Sequence, residues 1–336
     1  MPLSISRKMP ARRGLAAVAT LTVLAFFSVR GHGAPPSAPP ALYLFSVLNN
    51  NAPIGPQTYT SVSGTTLTPL TKPGGGNIVP PTPQMRDARF LHVGSKYYFS
   101  FTHGGGPSQA IGLIESPDLQ NWTPVTTPNW SSLFRGKENA IWNGTWWNDD
   151  GAYYMFFGVC QRLVPTCRPY YVPFNPASAS FGAPQPLSFT TKDPHTYNIV
   201  MSIFPSAGSY WALLQTLDRK GNSIVALASF TSLTSPWKTN WSMLGGQPMY
   251  RESGAAVVLP NNYPRVYYVR NSGGEVFYTT ANGINPSKAK WSAPQAIPPF
   301  APASLPADWI DVVPISDAQT LQLIAAIRAA KPAPRP

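Results

Sequence analysis

The chain carries only 13 carboxylates among its 336 residues, few enough to sort one at a time. Asp118, Asp149, Asp150, Asp218, Glu275 and Asp317 sit in turns or polar loops, where acidic side chains serve turn chemistry and solvation. Glu115 lies late in a strand-like run, and Glu138, Asp308 and Asp311 fit more than one role. Three remain. Asp87 lies in Met85-Arg86-Asp87-Ala88-Arg89-Phe90, Asp193 in Lys192-Asp193-Pro194-His195, and Glu252 in Arg251-Glu252-Ser253-Gly254. Each has a plain structural alternative: Asp87 could pair with Arg86 or Arg89, Asp193 could form a turn before Pro194, and Glu252 could pair with Arg251. Brought together, however, three carboxylates repel one another, which spreads their pKa values and separates an acid from a base. Hydrolysis of a glycosidic bond needs that division, with one acid protonating the leaving oxygen and one carboxylate activating water.

The elements that must position these acids show as an internal repeat. Apolar strand cores recur at Tyr97-Tyr98-Phe99, Tyr153-Tyr154-Met155-Phe156, Tyr210-Trp211-Ala212-Leu213 and Val266-Tyr267-Tyr268-Val269, with a fifth expected at Leu321-Gln322-Leu323-Ile324. Their starts are 56, 57, 56 and 55 residues apart. A regular period of this size, with several short strands in each unit, predicts the blades of a β-propeller. Within a unit, a first strand (86 to 93) meets a turn at Gly94, then the aromatic strand, then a small-residue strand (110 to 115) and a loop ending in Trp122. Asn148-Asp149-Asp150-Gly151 is a strong hairpin signal. The expected fold is all-β, a five-bladed β-propeller whose ring is closed by an N-terminal strand, from the 41–70 segment, pairing in the last blade. Closure of this kind removes exposed sheet edges. In a propeller the first strand of each blade lines the channel, and Asp87, Asp193 and Glu252 all stand at the start of such a strand.

Composition agrees. With 39 Pro, 26 Gly and 41 aromatic residues, the chain suits short strands and turn-rich joints far better than helices. Residues 1–34 read as a signal peptide: Arg7, Lys8, Arg12 and Arg13 form a basic region ahead of an apolar run from Gly14 to Val29. The domain is expected over 35–328, followed by a disordered tail over 329–336. Removing 1–34 takes away five basic residues and no acid, lowering the formal charge from +12 to +7. No Lys/Arg run remains, which speaks against nucleic acid as a partner, and no membrane association is expected after cleavage. The localisation expected is secreted or periplasmic. There, Cys160 and Cys167, seven apart, favour a local disulfide over two thiols.

The run Arg86-Asp87-Ala88-Arg89-Phe90, Gly94 and Tyr97-Tyr98, followed by Ile111-Gly112-Leu113-Ile114-Glu115-Ser116-Pro117-Asp118-Leu119 and Trp122, resembles the first blade of glycoside hydrolase family 43. That family comprises arabinofuranosidases, arabinanases and xylosidases on five-bladed propellers. The resemblance spans roughly residues 41 to 325 as short motifs between divergent loops. It implies inverting hydrolysis of a pentose-containing plant cell-wall polysaccharide or oligosaccharide, with Asp87 as general base, Asp193 as the Asp that tunes and orients, and Glu252 as general acid. Two positions depart from the pattern. Where the family shows Trp-Ala-Pro-Glu or Trp-Ala-Pro-Asp, this chain has Trp142-Asn143-Gly144-Thr145, so Thr145 takes a carboxylate's place. The usual Asp-Pro is Asp87-Ala88. Both bear on subfamily and sugar. Arg86, His103, Trp142 and Thr145 are the expected sugar contacts, with Trp146 and Trp147 as further stacking candidates against a packing alternative. No cofactor is expected, although a structural cation in the channel is compatible with the reading. His92, His103 and His195 match no metal-ligand spacing.

Overall fold

A computed structural model describes residues 42–48, 55–73, 75–82, 85–103, 110–130, 139–161, 166–189, 199–217, 223–240, 254–269, 275–298 and 307–330. Residues 1–34, read above as a signal peptide, lie outside these residues, as do Asp193, Glu252, Glu138, His195 and 331–336 of the expected tail. Residues 33–336 form one compact unit.

The chain opens with β1 (Leu42–Leu48), β2 (Gln57–Ser61) and β3 (Thr68–Pro69). Blade one follows as β4 (Arg86–Val93), β5 (Lys96–His103), β6 (Ala110–Ser116) and β7 (Thr123–Val125). Blade two is β8 (Asn139–Asp149), β9 (Ala152–Gln161) and β10 (Thr166–Asn175), edged by the short β11 (Ser180–Phe181) and β12 (Gln185–Pro186). Blade three is β13 (Ile199–Ser206), β14 (Ser209–Leu217), β15 (Ser223–Phe230) and β16 (Lys238–Asn240). Blade four is β17 (Gly254–Val258), β18 (Pro264–Val269), β19 (Val276–Thr280) and β20 (Gln295–Ala296). β21 (Trp309–Ile315) then pairs antiparallel with β1, Phe45 opposite Val312, and completes blade five in the order β21-β1-β2-β3. The innermost strands β4, β8, β13, β17 and β21 touch in succession, and β21 returns to β4. The five-bladed ring is closed, and the N-terminal segment supplies three strands of its last blade.

The strand sequences follow from this geometry. Successive side chains of a strand point to opposite faces, and here both faces of every sheet meet a neighbouring sheet. On β5, Tyr97, Phe99 and Phe101 enter a core shared with Leu42, Leu44 and Trp309 of blade five, whereas Tyr98 enters the core shared with Met155 and Phe157 of blade two. On β9, Phe156 turns the other way, towards Ala212 and Leu214 of blade three. On β18, Val266 and Tyr268 join blade three, whereas Tyr267 and Val269 join Tyr43 and Phe45 of blade five. Strands buried on two sides read as continuous apolar runs, which is why the second strands announce themselves as Tyr-Tyr-Phe and its variants.

One expected strand is not a strand. Leu321 to Ile324 lies in α1 (Ala318–Ala329), a 12-residue helix. Asp317 is its N-cap, accepting the Thr320 N–H at 2.7 Å. Buried Thr320, Ile324 and Ile327 face the core between blades five and one at helical spacing. Thr320 Oγ1 meets the Tyr97 hydroxyl at 2.9 Å, and Asp317 meets His92 Nδ1 at 3.3 Å, fixing the helix on blade one. The helix also runs to Ala329, the first residue read as tail. Among the described residues no helix is long and apolar enough to cross a membrane.

Cys160 and Cys167 face each other across β9 and β10 and are joined by a disulfide, both buried. The Asp149-Asp150-Gly151 turn has φ of 48° at Asp150 and 89° at Gly151, the left-handed conformation that its Asp-Gly sequence suits.

Candidate functional site

The innermost strands of blades one, two and three each break register, between Arg86 and Arg89, between Asn143 and Trp146, and between Val200 and Ser202. Bulges of this kind re-aim side chains and recur beside active sites. At the first of them sits Asp87, with φ 53°, a left-handed conformation that costs a non-glycine residue about 1–2 kcal/mol. Asp87 is 1% exposed. Thr102 on β5 donates its hydroxyl to Asp87 Oδ2 at 2.7 Å. Asn143 on β8 donates its amide Nδ2 to the Asp87 carbonyl at 2.6 Å, which holds the strained backbone in place.

Two residues along, Arg89 is also 1% exposed and spans the axis. Its Nε donates to Gly144 O of blade two at 2.7 Å, Nη2 to Gly254 O of blade four at 3.2 Å, and Nη1 to Ile310 O of blade five at 3.1 Å. Nη1 also meets Asp311 Oδ1 at 2.9 Å, while Asp311 Oδ2 accepts the Phe90 N–H at 2.9 Å. The guanidinium lies 4.3 Å from the Trp309 ring centre. Burial pulls the Arg89 pKa down, opposed by the Asp311 carboxylate and by the charge of Asp87. The acceptors that converge on the axis at this level are therefore answered by a side-chain cation. Among the described residues no cluster of three or more His, Cys, Asp or Glu could hold a metal ion.

The backbone around these acceptors is tightly packed. Gly144 lies so close to β13 that a Cβ there would stand 2.8 Å from the Val200 carbonyl oxygen and 2.8 Å from that of Phe156. Gly254, the first residue of β17, is bonded to Arg89 directly. Arg89 thus ties β4 to the start of β17, and Gly144 brings β8 against the start of β13. Gly144→Ala is expected to destabilise the fold by about 1–3 kcal/mol, because backbone must shift to admit the methyl group. Chemical denaturation measures the loss, and a midpoint equal to wild type would contradict the close approach.

The sequence-derived residues divide. Asp87 and Arg86 stand together on β4, with half-buried Arg86 opposite Thr102 in register. The pairing considered between Asp87 and Arg89 is not a contact ion pair: Arg89 is bonded to Asp311, and Asp87 to Thr102. Trp142 is half-buried against Cys160, Cys167 and Ile199. Thr145 is buried within the β8 bulge. Exposed His103 ends β5, its ring 6.1 Å from that of Phe101. Trp146 and Trp147 are buried between blades, which settles them as packing. Asp193 and Glu252 lie outside the described residues, although Glu252 stands two residues ahead of Gly254 in the chain.

No protein-family model matches the sequence, and no curated protein matches it. Solved structures do. An α-L-arabinofuranosidase from Clostridium thermocellum ATCC 27405 is similar with a TM-score of 0.54 at 13% identity, over 78% of this chain and 94% of that one. A thermostable family-43 glycoside hydrolase is similar with a TM-score of 0.51 at 12% identity, over 80% of this chain and 89% of that one. The chain has the family 43 fold. At these identities the likeness is one of architecture, and it covers nearly the whole length of both relatives. Within the family 43 fold, the chemistry of this chain must be argued from its own side chains.

Proposed function

We propose that the chain is a glycoside hydrolase, exported to the periplasm or beyond the cell by residues 1–34, that cleaves α-L-arabinofuranosides or β-xylosides in plant polysaccharides and oligosaccharides with inversion. The observation that carries this reading is that Arg89 and Gly144 draw β4, β8, β13 and β17 together near the starts of β13 and β17. Of these, β4, β13 and β17 are the strands whose starts Asp87, Asp193 and Glu252 occupy or precede in the chain. In the proposed reaction Asp87 takes a proton from water as the water attacks the anomeric carbon. Glu252 gives its proton to the departing oxygen, and Asp193 tunes and orients Glu252. Arg86, His103, Trp142 and Thr145 would contact the sugar.

The test is a screen on arabinan, arabinoxylan, xylan and their aryl glycosides, followed by early-time proton NMR of the product. A base mechanism needs room for water, so the Asp87 and Glu252 carboxyls should stand roughly 6.5–9.5 Å apart, and the first-formed sugar should be inverted. Retention, or transfer to added methanol, would contradict the role given to Asp87. The near-complete burial of Asp87 favours a second reading, a carbohydrate-binding propeller that uses its acids as structural groups. Affinity for the same glycans without turnover would support that reading instead.

A further inference from the structure

Neutral groups from two blades grip Asp87. The Asn143 backbone N–H donates to Thr102 Oγ1 at 2.8 Å, and Thr102 donates to Asp87 Oδ2 at 2.7 Å. A backbone N–H can only donate, and a hydroxyl has one proton to give. With Asp87 ionised, the chain of bonds runs from β8 through Thr102 to the carboxylate. An ionised carboxylate only accepts, and the Thr102 hydroxyl offers its proton to Oδ2, a bond that stabilises the charged form. Below it the same polar cluster continues. Asn143 Nδ2 donates to Asp87 O at 2.6 Å and Ser100 O at 3.2 Å, the Ser100 hydroxyl donates to Asn143 Oδ1 at 3.3 Å, and the Trp146 indole donates to the Ser100 hydroxyl at 2.8 Å. All five residues are buried.

We propose that Thr102 and Asn143 are positioning residues that hold the Asp87 carboxylate ionised and aimed, so that the innermost strand of blade two sets the protonation state of the acid on blade one. The inference rests on the reading of Asp87 as the base, and it gives the departure at Asn143-Gly144 a purpose. Asn143 supplies both ends of the grip, and Gly144 permits the close approach of β13 while its carbonyl receives Arg89. The charged groups near Asp87 among the described residues are Arg86 and Arg89 on its own strand and Asp311 on β21, which is bonded to Arg89. β5 and β8 bring neutral donors. His103, next to Thr102, projects from the opposite face of β5, the face of Phe101.

The experiment replaces the hydroxyl and keeps the shape: Thr102→Val, with Thr102→Ser as rescue. Carbon-13 NMR of protein labelled at Asp carboxyls follows the Asp87 titration, its signal identified by its absence in Asp87→Asn. A hydrogen bond to the charged form depresses a carboxyl pKa. Thr102→Val should therefore raise the Asp87 midpoint by about one pH unit, and Thr102→Ser should restore it. On the best aryl glycoside, the acid limb of kcat/KM should move up with it, and kcat should fall about 10-fold with KM nearly unchanged. An unmoved midpoint, or lost activity without a moved pH profile and midpoint, overturns the proposal. A midpoint that moves while the kinetic profile does not leaves the grip standing and overturns Asp87 as base. If the wild type cleaves none of the glycosides, the carboxyl titration still decides. Should Thr102→Val not fold, Thr102→Ala carries the same expectations.

Discussion

Asp87→Asn and Glu252→Gln are each expected to lower kcat by about 10²–10⁴-fold, the share that a positioned acid or base contributes to proton transfer. The two losses should differ in kind. An aryl leaving group of low pKa needs little protonation, so Glu252→Gln should cost least on activated aryl glycosides and most on a natural linkage. Asp87→Asn should cost about the same on both, because the water needs its base whatever leaves. Asp193→Asn should cost less than either if its role is to tune and orient Glu252. Asp87→Asn also keeps an oxygen that can accept from Thr102, so the fold should survive and the loss can be read as chemistry. Steady-state rates on an aryl pentoside and an oligosaccharide, with melting curves of each variant, decide the matter. A Glu252→Gln enzyme that cleaves the natural linkage at the wild-type rate would move the search for the acid to Glu138.

Much of the architecture was legible because propeller blades bury both faces of their strands. Tyr97-Tyr98-Phe99 and its successors read as apolar runs, and their even spacing survives divergent loops. The fifth copy misled. Leu321 falls at the right interval by coincidence, whereas the true fifth second strand is β1, at Leu42, 55 residues before Tyr97. Counting backwards as well as forwards would have found it. So would the helix signals at 317–327, an Asp N-cap followed by buried positions three and four apart. Sorting carboxylates brought out Asp87 but passed over its neutral partners, since nothing in Thr102 or Asn143 alone marks a residue that holds an acid. Arg89 and Asp311 were each visible as a charge inside an apolar run, Ala-Arg-Phe-Leu and Trp-Ile-Asp-Val-Val. Their partnership was not visible, because it joins positions 222 residues apart through ring closure alone.

That partnership leads to the largest expected effect on stability. Arg89→Met should destabilise the protein by about 3–5 kcal/mol, the usual cost of removing one member of a buried ion pair. The methionine fills much of the volume but donates nothing. Asp311 would be left as a buried carboxylate without its cation, and the carbonyls of Gly144, Gly254 and Ile310 would each lose a donor. For a chain of this size the fall in Tm should be on the order of 10 °C. Arg89→Lys should rescue little, because one ammonium cannot reach the acceptors that the planar guanidinium meets on three other blades. The second arm separates an uncompensated charge from a lost clasp. In Arg89→Met with Asp311→Leu, the stranded carboxylate is gone, and stability should recover in part. It should not recover fully, since the carbonyls of blades two, four and five remain without the donor that drew them together at the axis. Recovery to the wild-type Tm would reduce Arg89 to a counter-ion for Asp311. A single Arg89→Met variant melting within about 2 °C of wild type would dismiss the axial clasp altogether.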